Sequence, residues 1–482
     1  MRIGMIEKKM TPPAKVTLAG QFGVRISEYV ESDVCVNVFA AENDGEQMIL
    51  CALDVCSIPV RYADLLREKL KQRSTEIDAD RVVFSATHTH TAPGLMQVKN
   101  ALWAAADFLP EGKVFQSPQE TLPEGVWDDN KSGAYMAEII VDAVCEAWEK
   151  RKKAFVAPAF DRCSVGHSRR VMYDGGISRM YGTPDNPTFD TLESASDDGV
   201  ELLYVFDEEK KPMGVIANVA CPAQVVEAQR YVSSDYWGKV RDYVKTVFGK
   251  NFVTVGLCSA AGCQSPRDLI RDKKAHPAVE GGRKLPRRAD PDMYEIEGAI
   301  HIGKRLGRVI ADACPTEGML EEAPIVNRLV KIDLPLRKVT FAVYEAARAQ
   351  FDSYFEKLDQ KEVTTTDLQR NHVHAGILTR FAYQKTHGTV PTTLHVIRFG
   401  DIVFASNPFE LFLDFGNRIR ARSYATQTFL IQLAAGNANG YLPTERAEKG
   451  GHYSAYISSG TVGHEGGELL VERTLDEINS MF

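Results

Sequence analysis

The chain has little of what membrane-spanning, nucleic-acid-binding and disulfide-framed proteins need. In its 482 residues no apolar run reaches the roughly 18–20 residues that a membrane helix requires, so no stable membrane insertion is expected. Positive charge is in deficit: 57 Lys+Arg stand against 65 Asp+Glu, a net charge of −8. Nucleic-acid binding usually needs a basic face, so that class is excluded. The nine cysteines are scattered without a CxxC pair or a regular framework, which points to small apolar core residues. The first residues, Met1 to Lys9, become charged before the apolar core of a secretory signal can form, and a cytoplasmic location is the expectation. No low-complexity segment and no repeat of 20–50 residues is evident.

What remains is the composition of a soluble enzyme or binding protein, 44% hydrophobic and 25% charged. Strands and amphipathic helices are interspersed along its length. Cys35–Phe39 and Gln47–Leu53 read as strands joined at Asn43-Asp44-Gly45, a hairpin signal. Further strands are expected at Arg81–Ala86, Gly214–Ala220, Phe252–Leu257, Leu394–Phe404 and Thr428–Ala434. Helices are expected at Arg61–Lys71, Gly133–Lys152, Ser234–Val247, Ala299–Cys314, Ala342–Leu358, Glu410–Ser423 and Glu468–Ile478. Two stretches, Phe108–Asp129 and the basic Pro266–Asp292, read as long loops. No composition shift marks a boundary, so residues 1–482 are expected to form a single large mixed α/β domain, its mixed β-sheets flanked by helices.

Five segments carry candidate chemistry. The sharpest is Thr87-His88-Thr89-His90-Thr91-Ala92-Pro93-Gly94, reached directly from a buried strand. In extended chain, residues two apart point the same way, so His88 and His90 can aim at one point, as a metal pair or as a ligand with a hydrogen-bonding partner. The plain alternative is two histidines satisfied by local hydrogen bonds. The second segment, Ala220-Cys221-Pro222-Ala223-Gln224, leaves a strand and offers Cys221 as a soft ligand or a core thiol. The third, Cys258-Ser259-Ala260-Ala261-Gly262-Cys263-Gln264-Ser265-Pro266, is a small-residue turn. There Ser265 is a nucleophile or donor only if a base or metal activates it. The fourth is Asn407-Pro408-Phe409-Glu410, and the fifth runs from Asn437-Ala438-Asn439-Gly440-Tyr441 to Gly451-His452-Tyr453.

In this order, the segments resemble the neutral, non-lysosomal ceramidase family, and the resemblance spans nearly the whole chain. Thr11-Pro12, Leu18-Ala19-Gly20, Arg25 and Ser168-Arg169-Arg170 match further family pieces. The resemblance implies the family's catalytic domain without its immunoglobulin-like C-terminal domain. It implies one zinc ion, with His88, Glu410 and Tyr453 on three of the family's four ligand positions. It puts His90 beside the metal as a proton-handling residue, Arg169 on the substrate and Ser265 on the family's proposed catalytic serine. Two positions depart from the pattern. Pro222 stands where the family has its second zinc histidine, which leaves Cys221 or Gln224 to reach that point, with Cys221 the better zinc ligand. Cys263 replaces the family's aspartate in the serine turn.

The expected function is a zinc-dependent hydrolase that cleaves an amide or related bond in a polar small molecule, anionic or sugar-like, with self-association left open. Two other readings compete. One is a carbohydrate-active enzyme, a glycosidase or lyase, using Asp235, Glu410, His90 and Tyr453. The other is a descendant that binds a ligand without turnover.

Overall fold

A computed structural model describes residues 1–96, 104–116, 122–271, 295–435 and 440–482. Its organising feature is one topological unit used three times. In the first sheet, strand Arg2–Lys9 pairs antiparallel with Cys35–Asn43, which pairs antiparallel with Glu46–Leu53. Helix Val60–Arg73 then crosses over, and Val82–Ala86 returns parallel to Glu46–Leu53. The second sheet repeats this order with Phe155–Arg162, Gly199–Phe206, Pro212–Val219, helix Asp235–Phe248 and the parallel strand Val253–Cys258. The third repeats it with Ile325–Pro335, Thr389–Phe399, Ile402–Ser406, helix Leu413–Arg422 and the parallel strand Gln427–Ile431. The repeat is far longer than 50 residues, because long excursions separate its parts, and a search for short periods passes over it.

Local sequence explains the pieces. The first hairpin turns on Asp44 and Gly45, both at positive φ (52° and 81°), the backbone a two-residue hairpin turn demands. Along Cys35–Asn43 the pleat sends alternate residues to opposite faces. Val36, Val38 and Ala40 pack under the helices, whereas Phe39 and Ala41 face the centre of the molecule. There the three sheets meet. Leu50 and Val83 from the first, Ile216 and Val255 from the second, and Ile397 and Phe404 from the third share one buried cluster. Helices Asp129–Glu149, Glu295–Asp312 and His464–Asn479 cover the outer faces of the three units in turn. Among the described residues no helix is long and apolar enough to cross a membrane.

The sequence-based elements agree with this architecture apart from a few corrections. The stretch Leu394–Phe404 is two strands, because Gly400 at φ 62° turns the chain between Phe399 and Ile402. The helix expected from Glu410 starts at Leu413, since Glu410 and Leu411 pair in parallel with Tyr441 and Leu442. The helix expected to run to Lys152 ends at Glu149, and Lys152 instead begins a short strand beside Arg2–Lys9. Within the loop expected at Phe108–Asp129, Val114–Phe115 pairs with Glu362–Val363, while residues 117–121 lie outside the described residues. So do residues 272–292 of the basic loop and Asn437-Ala438-Asn439.

The parallel pairs point their carboxyl ends to one pole, where the following loops are stitched into a ring. Ala223 N donates to Thr87 O (3.1 Å), Gln432 N to Cys258 O (3.0 Å) and Ala435 N to Phe84 O (2.9 Å). Each bond joins one unit to the next. In open α/β sheets the carboxyl ends of parallel strands are where ligands bind, and here three such ends converge.

Candidate active site

The first unit supplies Cys56 after one parallel strand and His88 and His90 after the other. The second supplies Gln224, Glu227 and Gly262. The third supplies Glu410. His88 has a positive φ of 69°, an unusual conformation for a residue with a Cβ, held by His88 N donating to Val55 O (3.0 Å). Thr89 and Thr91 on either side both donate to Ser233 O (2.9 and 3.1 Å), anchoring the segment to the second unit.

Hydrogen bonds fix the orientation of both imidazoles. His88 Nδ1 lies 2.6 Å from the carbonyl oxygen of Cys56, which can only accept, so Nδ1 carries a proton and Nε2 is the nitrogen left to face Glu410. Arg169 Nη1 donates to Gln224 Oε1 (3.3 Å). A guanidinium has no acceptor, so this contact orients the amide and makes Gln224 Nε2 the donor to His90 Nε2 (2.8 Å). His90 Nε2 is therefore a lone pair, and its Nδ1 carries the proton.

His88 Nε2 is thus the hub of the cluster. His88 Nε2 is 3.4 Å from His90 Nε2 and 3.4 Å from Glu410 Oε2. A positive charge at that nitrogen, carried by a proton or a metal ion, joins it to the Glu410 carboxylate. The pKa directions carry the same message. Burial pulls His88 down, yet its neighbours Cys56 and Glu410 hold its pKa well above the usual histidine value. Burial would raise Glu410, but His88 and Arg169 bring its carboxyl below the usual range. His90 is pushed well below the usual value by burial and by the positive charge of His88, Arg25 and Arg169, which keeps it neutral and able to donate electrons.

These residues fit a divalent metal. Two histidine nitrogens and one glutamate oxygen form a common catalytic zinc donor set. Ligands at about 2.0–2.1 Å from a tetrahedral centre lie about 3.4 Å apart, the spacing found on the two measured edges. The Cys56 carbonyl is the outer partner that such a histidine ordinarily has. A geometric grouping of metal-binding atoms also joins Cys56 to His88 and His90. The Cys56 thiol, however, sits 3.8 Å from His88 Nδ1, the nitrogen that faces away from Glu410.

Around this point lie the remaining candidates. Arg169, 1% exposed, donates through Nη2 to Gly262 O (2.9 Å) and Tyr441 OH (3.1 Å) and stands 3.7 Å from Glu410 Oε2. Tyr453 packs edge-on against Tyr441 (5.6 Å between ring centres). Burial and the Glu410 charge push its phenol up to about 12. From Tyr453 an aromatic wall runs outward through His372 and Phe22 to the surface. A cavity of about 220 Å³ opens beside Phe22 and Cys56, lined also by Leu95 and Met96.

Three expected residues, Cys221, Ser265 and Asp235, are not brought to this cluster. The Cys221 thiol turns to the carbonyls of Val165 (3.4 Å) and Pro222 (3.5 Å), and burial raises its pKa well above the usual thiol value. Cys221 therefore sits as a core thiol, and Gln224, three residues on, reaches the site. Ser265 is fully buried in a short strand opposite His167, and its Oγ accepts from Arg267 N (3.0 Å). Cys263 is a buried thiol that accepts from Leu413 N (3.3 Å). Asp235 is also fully buried and accepts from Val226 N (2.9 Å) and Tyr236 N (2.6 Å). It forms no carboxylate pair with Glu410. Sequence reasoning missed Cys56, Glu227 and the role of Tyr441. Cys56 and Glu227 act through a backbone carbonyl and a loop approach that no motif announces. Tyr441 stood in a quoted segment, and its pairing with Glu410 across two short strands became visible only in the fold.

No family model and no curated protein matches the chain. Solved structures do. A ceramidase complexed with C2 superposes with a TM-score of 0.68 at 14% identity, over 100% of this chain and 75% of that one. The neutral ceramidase from Pseudomonas aeruginosa superposes with a TM-score of 0.66 at 15% identity, over 100% of this chain and 74% of that one. The chain has the neutral ceramidase-like fold.

Proposed function

We propose that this protein is a metal-dependent hydrolase acting on an amide or related bond of a polar small molecule. The observation that carries the reading is the position of His88 Nε2, 3.4 Å from His90 Nε2 and 3.4 Å from Glu410 Oε2. These three residues would hold the ion. A zinc ion there would supply Lewis-acid polarisation of a scissile carbonyl and activation of water.

The chain's own residues supply binding and charge stabilisation. Arg169 is pinned by Gly262 and Tyr441 and cannot swing away, so its guanidinium is a preorganised donor toward negative charge that develops beside Glu410. Tyr453 keeps its proton at neutral pH, with its phenol pushed up to about 12, and serves as a second donor. Phe22, His372 and Tyr453 offer ring faces, the last two with polar tips, which suits a substrate that bears a polar ring. The small cavity next to Cys56 suits a compact acyl group. Ser265, held by Arg267 N, takes no part in this reading.

The test is metal content by mass spectrometry on the wild type, His88→Ala and Glu410→Gln, with hydrolysis of an N-acyl library as companion. About one zinc per chain, lost in both variants together with turnover, is expected. A wild type that takes up no divalent metal overturns the reading.

A further inference from the structure

Glu227 belongs to no motif, yet it occupies the one direction from which His90 lacks a partner. His90 Nε2 is the acceptor for Gln224, so Nδ1 bears the proton. That nitrogen is buried and has no hydrogen bond, and a buried N–H left unpaired costs about 1–3 kcal/mol. The carboxylate nearest to it is Glu227, whose Oε2 lies 3.7 Å from Nδ1, a few tenths of an ångström beyond hydrogen-bond range.

The backbones of the two residues are tied together. The buried Arg25 guanidinium donates through Nη1 to Glu227 O (2.9 Å) and Gln229 O (2.7 Å), and through Nη2 to Ala19 O and His90 O. One side chain thus holds the carbonyls of His90 and Glu227, and only a small side-chain rotation separates carboxylate from imidazole. Burial raises the pKa of Glu227 above the usual carboxylate value, and the charges of Arg169, Arg267, His88 and Arg25 that face it offset this only in part.

We propose that Glu227 is the positioning residue for His90: its carboxylate accepts a hydrogen bond from the Nδ1–H and so holds the Nε2 lone pair toward His88 Nε2. A carboxylate behind a ligating imidazole fixes ring orientation and raises donor strength, and its loss commonly weakens metal binding about 10–100-fold. The proposal rests on the reading of His90 as a donor in the proposed function, and the test separates the two.

The experiment is NMR of chelator-treated protein carrying ¹⁵N-labelled histidine, with the His90 signals assigned by their loss in His90→Asn. Zinc affinity is measured in parallel by competition with a chromophoric chelator. In the wild type a slowly exchanging Nδ1–H signal of His90 is expected. In Glu227→Ala it broadens or exchanges at least tenfold faster. In the isosteric Glu227→Gln it moves upfield, and in Glu227→Asp it is partly restored. Zinc Kd rises about 10–100-fold in Glu227→Ala. An Nδ1–H signal with wild-type position and exchange rate in both Glu227→Ala and Glu227→Gln overturns the proposal, whatever happens to zinc. If the wild type binds no zinc but the Nδ1–H signal depends on Glu227 as described, the hydrolase reading falls and the role of Glu227 stands.

Discussion

The carbonyl oxygen of Cys56 lies 2.6 Å from Nδ1 of His88, and this contact decides which nitrogen of His88 faces Glu410. Because the contact is to backbone, the identity of the side chain at position 56 is not what sets the tautomer.

Cys56→Ser is therefore expected to keep zinc affinity within about threefold, less than the 1.4 kcal/mol of a tenfold change, whereas His88→Asn loses the metal. Zinc titration of both variants checks this. A Cys56→Ser protein that loses zinc along with His88→Asn would make the thiol itself a ligand, as the grouping of Cys56, His88 and His90 allows.

Gln224 sets up a second test. Its amide donates to His90 Nε2 at 2.8 Å and its Oε1 accepts from Arg169, so loading His90 with a metal costs one hydrogen bond. Gln224→Glu keeps the shape and the Arg169 contact, removes the competing donor and adds a negative charge beside the donor set. Zinc is expected to bind about tenfold more tightly, roughly 1.4 kcal/mol. Isothermal titration of wild type and variant decides it, and weaker binding in the variant would place the metal away from His90.

Arg169→Ala removes a buried guanidinium that serves Gly262, Tyr441 and Gln224 at once. If it stabilises developing charge, kcat falls about 10²–10³-fold with little change in KM. Zinc content should be retained, because Arg169 is not a donor. A fall in kcat/KM that comes wholly from KM would make it a substrate-binding residue instead.

The strands, helices and hairpin were legible where periodicity is strong, as in Cys35–Asn43 or Val60–Arg73. What the sequence hid was the repetition of one topology in three sheets, because each copy has different side chains on it and long excursions inside it. At the site, His88 and His90 were readable from their spacing, Arg169, Glu410 and Tyr453 from the family resemblance, and the structure gathers them around one pole. Of the two readings open for Cys221, the structure gives the core thiol, for a local reason. The chain turns at Pro222, so the thiol faces the Val165 carbonyl while Gln224 faces His90. Glu227 carried no signal, since its relation to His90 depends on Arg25 bridging two loops that are more than a hundred residues apart in the chain.

Asp235 gives a stability test apart from the metal. It opens helix Asp235–Phe248 at a φ of 55°, and burial raises its carboxyl to about 7, against backbone hydrogen bonds that lower it. The folded state then holds a proton that the unfolded state has released from about pH 4 upward. Stability is lost as pH rises from about 4 to 7 and stays lost above, about 2–3 kcal/mol between pH 5 and 8. Asp235→Asn keeps one of the two acceptors, loses a backbone hydrogen bond at every pH, tolerates positive φ and cannot ionise, so its denaturation midpoint should be lower than the wild type's at pH 5 but vary less between pH 5 and 8. Parallel curves for the two proteins would show that Asp235 is ionised throughout.

Gly20 offers a way to move His90 without touching a polar group. It has a φ of 92°, and a Cβ built there would lie 2.4 Å from His90 Cγ. Gly20→Ala thus combines an unfavourable backbone conformation, costing about 1–3 kcal/mol, with a collision that only a shift of the imidazole can relieve. The shift would carry His90 Nε2 away from His88 Nε2. Zinc binding should weaken at least tenfold in protein that remains folded by circular dichroism. The control is Gly45→Ala at the tip of the first hairpin. It also places a Cβ at positive φ, 81°, but meets nothing within 4 Å. That variant pays the backbone strain alone and should bind zinc as the wild type does. Equal effects of the two substitutions would mean that strain, not the position of His90, governs the site.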